Sequence, residues 1–225
     1  MSDLICSRLG GILIIALGLL CGGCAVLPAG LNDEVNRGPT YAPHNYFALP
    51  KIPAGVARVA LLPVAAGNLT TEEVTAILDG ALASSAVRTE RFEVVTLGRS
   101  DCRALLGRSE FTLAEPLPAT FLADLQQRTR ADAVLMVELT HLKLYQPQSL
   151  GFRARLASCL DGSVFWSFDE VLSASDAAVR NSARREYFQQ EHGNRPYDFS
   201  LAGLQSPSWF AGFVARQMFG TLPPR

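Results

Sequence analysis

Cysteine offers this sequence its most reactive side chains, and of the five cysteines one stands where the neighbours specify a reaction. Arg8 precedes an uncharged apolar stretch over residues 9–20 (LGGILIIALGLL), which has the length and character of a secretory leader's core. Gly22 and Gly23 then supply small residues and Cys24 follows them directly, in the manner of a lipobox. The usual pattern puts leucine three residues before the acylated cysteine; here Cys21 holds that place and Leu20 sits one further back. Cys21 is itself a poor acceptor, because bulky Leu19 and Leu20 precede it. The competing reading is an uncleaved anchor helix, since residues 9–31 carry no charge and approach the ~20 residues that a span requires. Gly22, Gly23 and Pro28 oppose it, as glycine and proline weaken a helix interior. The expectation is a signal peptide over 1–23, removed before Cys24, with lipid on Cys24 anchoring the chain to a membrane. Ala25, where an aspartate would favour retention at the inner membrane, points to the outer membrane and the periplasmic side.

Elsewhere the chain is poor in chemistry. It has no Gly-x-Ser-x-Gly elbow, no phosphate-binding glycine loop and no His-Glu-x-x-His. His44, His141 and His192 are scattered over linker, strand end and loop. Cys102 and His141 can be drawn as a thiol and its base, but no spacing or flanking residue supports them. Asp101 with Glu110, or Asp169 with Glu170, occur at spacings that surface charges reach by chance. No catalytic residue, metal ligand or cofactor-binding residue is expected, and the chain reads as a non-enzyme. Cys102 and Cys159 are either partners in one disulfide or two small buried hydrophobes, and the sequence leaves both readings open. Arg180, Arg184 and Arg185 form the densest basic cluster, either a docking surface for an acidic partner or a solvated helix face.

A net charge of -1 gives no general attraction to nucleic acid or anionic lipid, so nucleic-acid binding is not expected. At 48% hydrophobic and 18% charged, the part behind the leader can bury a full core. Its length suits one domain.

The elements that follow read as mixed α/β. Residues 25–53 carry Pro28, Pro39, Pro43, Pro50 and Pro53 with no lasting periodicity, so 24–55 is taken as a lipidated N-terminus and flexible tether. Tyr41, Tyr46 and Phe47 offer the alternative of an edge segment packed against the domain. Residues 56–64 (VARVALLPV) are a buried strand. Thr70 and Glu73 then form a capping-box pattern before Val74, Ile77, Leu78, Ala81 and Leu82 at helical spacing. Residues 92–97 (FEVVTL) complete a β-α-β unit with parallel pairing. Helical stretches over 101–106 and 118–130 precede a strand from 133 towards 144. From Leu150 the pattern alternates, with Phe152, Ala154 and Leu156 facing one way and Arg153 and Arg155 the other. Asp161-Gly162 is a tight hairpin turn, and the return strand puts Val164, Trp166 and Phe168 on one face. A polar helix over 176–191, a loop over 193–204 and a last helix opened by Ser206-Pro207 complete the chain. On that helix Trp209, Phe210, Phe213, Val214 and Met218 share the apolar side. The fold class expected is one α/β domain over 56–222, a mixed parallel and antiparallel sheet of about five strands packed with helices.

That order, with the segments RVALLPV, FEVVTL, ADAVLMVEL and the hairpin GFRARLASCLDGSVFWSFDEVL, resembles the CsgG-like superfamily over residues 58–222. Its members include the curli-secretion channel lipoprotein, periplasmic activators of penicillin-binding proteins and uncharacterised lipoproteins. The matching segments are packing signatures, so the resemblance implies fold before activity. A channel member needs two hairpins with strands of ~9–11 residues and a lipid-facing apolar side. One hairpin of that size exists here, and Arg153 and Arg155 would be costly facing lipid. The resemblance therefore implies a tethered periplasmic domain that binds an envelope protein as a scaffold or regulator; the alternative is an oligomeric outer-membrane channel subunit.

Overall fold

The computed structural model describes residues 37–115, 120–190 and 197–225. Cys24, the leader and the first part of the predicted tether lie outside the described residues, as do residues 191–196 of the predicted loop.

Three parallel strands begin the domain: β2 (Arg58–Leu61) lies between β3 (Glu93–Thr96) and β4 (Ala133–Lys143). Helix α1 (Glu72–Val87) joins β2 to β3, so the β-α-β unit forms as the hydrophobic pattern dictates. The Asp132 carboxylate accepts the Ala57 and Arg58 N–H groups, both at 2.9 Å, and ties the start of β2 to the start of β4. Two longer strands then meander back, β5 (Ser149–Ser158) antiparallel to β4 and β6 (Val164–Ser173) antiparallel to β5. Gly162 at the turn adopts φ 72°, a left-handed conformation that glycine takes without strain.

Six strands form the sheet, in the order β1-β6-β5-β4-β2-β3, one more than expected. The additional strand is β1 (Tyr46–Ala48), from the stretch assigned to the tether, and it pairs antiparallel with β6. The compact unit starts at Gly38 rather than Val56, so the alternative edge-segment reading of Tyr41, Tyr46 and Phe47 describes this part of the chain.

Helices cover the sheet unequally. On one face α1, α4 (Ala177–Gln190) and α5 (Pro207–Phe219) pack over Val59, Leu135, Phe152, Leu156, Trp166 and Phe168. Burying one large apolar side chain of this kind contributes roughly 1.5–3 kcal/mol, so this face holds the domain together. On the other face α2 (Arg99–Leu106) and α3 (Phe121–Thr129) pack over Ala60, Leu62, Val134 and Met136. That second layer reaches the parallel half of the sheet, leaving Arg153 and Arg155 of β5 exposed beyond it.

Three local expectations are corrected. Thr71, not Thr70, holds the N-cap of α1 and its side chain makes no cap hydrogen bond, so the capping box does not form. Packing against α5 rotates the buried stripe of α1 onto Thr75, Leu78, Leu82, Ser85 and Ala86, leaving Ile77 42% exposed. The predicted loop contains a 3-10 helix, Tyr197–Gln205, before α5. The opening of α5 is as expected: the Ser206 hydroxyl accepts the Trp209 N–H, and Pro207 occupies the first turn, where its missing N–H costs nothing.

Candidate functional site

The described residue nearest in sequence to the expected anchor is Arg37, and the chain is gripped immediately after it. Residues 39–44 form no regular element, and Pro39 and Pro43 lack a backbone donor, so the carbonyls of this stretch are met from outside it. The Arg185 guanidinium of α4 meets them, donating to the Gly38 and Pro39 carbonyls at 3.1 and 3.2 Å and to Thr40 Oγ1 at 2.8 Å. Ser182 Oγ accepts the Tyr41 N–H at 2.9 Å, and Asn181 Nδ2 donates to the Pro39 carbonyl.

Glu170 closes the clasp. It lies on β6 in register with Trp166, Phe168 and Leu172, on the covered side of the sheet, and is 7% exposed. Its carboxylate accepts the Tyr41 O–H, the His44 N–H and the Asn45 N–H, each at 2.5 Å. Burial pushes this carboxyl up, but the three hydrogen bonds with the nearby His44 ring outweigh it and hold Glu170 below the usual glutamate range. Tyr41 moves the other way: burial, then the carboxylate beside its hydroxyl, raise it well above an ordinary phenol. The strap then runs into β1, where Leu49 N–H donates to the Phe165 carbonyl.

Asp169, adjacent in sequence, faces the opposite side and pairs with Arg153 across the hairpin at 2.8 Å. Phe47 and Val171 lie on that side too, 50% and 54% exposed. The two consecutive carboxylates are thus separated by the pleat and have different partners. Asp101 and Glu110 are also occupied separately. The Asp101 carboxylate accepts the Gly98 N–H at the start of α2, and Glu110 pairs with Arg99 at 3.2 Å while accepting the Gly67 N–H.

Arg99 and Asp79 meet at the C-terminal ends of β2 and β3, beside a cavity of about 310 Å³. Ligands of parallel sheets often bind at such edges. Here Arg99 donates to Asp79, Glu110 and the Val64 carbonyl, while Asp79 also accepts the Val64 N–H. Burial raises the Asp79 carboxyl, and the Val64 N–H and Arg99 only partly offset that. These groups satisfy one another.

Cys102 and Cys159 are both buried free thiols on the α2–α3 side of the sheet, with no bridge between them. Burial first, and a neighbouring aspartate second, push each thiol up to about 11. His141 is exposed on β4 and its Nε2 lies 2.7 Å from Ser149 Oγ, so the structure gives the Cys102–His141 pair no contact. His192 lies outside the described residues. Arg180 donates to the Ala174 and Ser175 carbonyls and Arg185 to the strap; Arg184 is half-buried on the same helix. Trp209 and Phe210 are packed rather than displayed, with Trp209 stacked on Phe213 at 5.8 Å. Among the described residues, no group of three His, Cys, Asp or Glu side chains is arranged to hold a metal ion, and no helix is long and apolar enough to cross a membrane.

These features define a single mixed α/β domain with a strapped N-terminal edge. No family model and no curated protein matches the chain. Among solved structures it is similar to a subunit of the PelC dodecamer from Paraburkholderia phytofirmans, at 14% identity and TM-score 0.48, over 80% of this chain and 96% of that one. It is also similar to Lipoprotein GNA1162 from Neisseria meningitidis, at 15% identity and TM-score 0.41, over 62% of this chain and 99% of that one. The LpoB C-terminal domain from Salmonella enterica aligns at 17% identity and TM-score 0.32, over 52% of this chain and 82% of that one. At such identities and scores the likeness is a partial one of chain path, and neither activity nor assembly is carried across from it.

Proposed function

We propose that this chain is an envelope lipoprotein of the CsgG-like type, acylated on Cys24 and facing the periplasm from the outer membrane. Its domain acts there by binding, as a non-enzymatic scaffold or regulator of envelope assembly. The observation that carries the reading is the clasp. The chain arriving from the anchor segment is fixed to β6 and α4 from Gly38 onward, so the lipid holds a positioned domain. Residues 25–37 span at most roughly 45 Å when fully extended, at ~3.3–3.6 Å per residue, which keeps the domain close to its membrane. The uncovered side of β5 and β6, with Phe47 and Val171 exposed, is the surface left for a protein partner.

A channel subunit is the less supported reading. The hairpin long enough for a barrel, β5–β6, has Phe152, Leu156, Trp166 and Phe168 buried under helices within its own domain. Cells fed an alkyne fatty acid should label the wild-type chain, and Cys24→Ser should abolish the label and release the protein from the membrane pellet. Labelling that survives in Cys24→Ser sinks the anchor assignment. Capture of envelope proteins with the membrane-extracted whole chain tests the binding role, which fails if nothing is retained above a control lipoprotein.

A further inference from the structure

A second hollow lies away from the strap, where the C-terminal half of α1 meets α5, the end of α4 and the 3-10 helix. It measures about 560 Å³ and adjoins a smaller one of about 230 Å³; Ser85, Arg88 and Arg216 line both. The larger volume is within the range of small-molecule sites, ~300–1,000 Å³.

Its donors outnumber its acceptors. The Arg216 guanidinium lies over the Trp209 ring at 5.6 Å and its Nε donates to Glu186, but its Nη2 is buried without an acceptor. Arg88, the C-cap of α1, is exposed and its guanidinium has no partner among the described residues. Ser85 is 3% exposed, and its hydroxyl likewise has no partner among the described residues. Glu186 is the carboxylate paired with Arg216, and it also accepts from Gln190 and Gln217. The charge of Arg88 therefore stands unbalanced. A buried N–H without an acceptor, as at Arg216 Nη2, costs roughly 1–3 kcal/mol, and an ionised oxygen is the acceptor that recovers most.

Gly212 fits the same purpose. A Cβ there would sit 2.9 Å from Arg216 Nη1, so the missing side chain lets the guanidinium fold back along α5 towards the hollow. The remaining wall carries the hydroxyls of Ser84, bonded to the Ala81 carbonyl, and of Ser206 and Ser208, bonded to each other; their oxygens keep lone pairs for a hydroxyl-bearing ligand, while the Gln190 amide is taken up by Glu186 and Trp209.

We infer that this hollow is a binding site for a phosphate group carried on a hydroxyl-rich molecule. Three donor groups from two helices match the three terminal oxygens of a phosphate monoester better than the two of a carboxylate, and the guanidinium fork is suited to that oxyanion. The site goes beyond the anchoring role and does not depend on it, since none of its lining residues belongs to the strap. A soluble sugar phosphate and a phosphoglycerol headgroup both carry the required chemistry.

Isothermal titration of the detergent-extracted whole chain tests the site with glucose 6-phosphate, glycerol 1-phosphate and glucose. Glucose 6-phosphate should bind and glucose should not; a stronger response to glycerol 1-phosphate would assign the same site to a lipid headgroup. Arg88→Gln and Ser85→Ala should each weaken phosphate binding about tenfold or more, the loss expected for a hydrogen bond to a charged group. Gly212→Ala should weaken it without changing the charge, because Arg216 is displaced. Arg153→Gln, an equal charge change on the uncovered side of the sheet, should leave it intact. Absence of heat with both phosphates, or an equal loss in Arg153→Gln, overturns the proposal. Arg88 is exposed and unpaired, so Arg88→Gln should keep the wild-type Tm, which shows that lost binding is not lost folding.

Discussion

Glu170 shows how a single carboxylate can decide the fate of a segment. Removing it as Glu170→Ala leaves the Tyr41 hydroxyl and two backbone N–H groups without their acceptor, and at roughly 1–3 kcal/mol for each buried orphan the loss should reach about 2 kcal/mol even if the strap partly rehydrates. Urea unfolding of the variant measures it. The pH dependence follows from the direction of the shift. Because the folded carboxyl is held below its unfolded value, the clasp contributes fully above the ordinary glutamate range, ~4.3, and is lost as pH falls through the lower folded value. Protection of the His44 and Asn45 amides, relative to an unfolded chain at the same pH, should therefore hold from neutral pH through the ordinary glutamate range and fall only below it; loss of protection already well above that range would show that the Glu170 carboxylate does not hold the strap. Cys102 and Cys159 make the opposite case, of reactive types made inert. With each thiol pushed up to about 11, both should resist a thiol reagent at pH 8 until the domain opens, so labelling in urea should follow unfolding. Fast labelling of the folded chain would contradict their burial.

At the scale of elements, the sheet divides into a parallel half covered on both faces and a meander half covered on one. The division is visible in burial: β4 is continuous apolar sequence where both layers pack on it, whereas β5 alternates with Arg153 and Arg155 outward. The strap completes the second half. A β6 edge without β1 would expose a row of unpaired backbone groups, a template for pairing with other chains, and the short β1 covers part of it. Arg185 is the side chain through which α4 controls that cover. Arg185→Ala should raise the rate of proteolytic cleavage within residues 38–48 by about tenfold, since the opening free energy of a peripheral segment is set by such local contacts, while thermal unfolding of the core barely moves. Cleavage at the wild-type rate would show that β1 pairing alone holds the strap.

For the whole molecule, the compact unit begins at Gly38. The strap fixed to β6 and α4 makes residues 38–48 part of the domain rather than of a linker. This gives the fractionation of Cys24→Ser its meaning: the variant should lose the membrane and keep the fold, because the described contacts of the clasp begin after the anchor.

The sequence by itself determined what depends on local pattern. The β-α-β unit, the alternation at Phe152, Ala154 and Leu156 and the Ser206-Pro207 start of α5 are written in local spacing, and each is where the pattern puts it, whereas the β5–β6 connection, placed at Asp161-Gly162, takes residues 159–163 rather than a tight two-residue turn. The lipidation expectation for Cys24 is of the same local kind. What tertiary structure alone decided depends on residues far apart in sequence. Glu170 looked like one of two adjacent surface charges, although its register with Trp166, Phe168 and Leu172 was a signal that it faced inward. Its partners Tyr41, His44 and Asn45 come more than a hundred residues earlier, and no periodicity links them. Prolines at 39 and 43 read as tether for the same reason: a segment with no regular element is loose alone and fixed when Arg185 donates to its carbonyls and Glu170 accepts its N–H groups. Ser85, Arg88 and Arg216 likewise stand on two helices whose crossing brings them to one hollow, and only that crossing made three ordinary polar residues into a site.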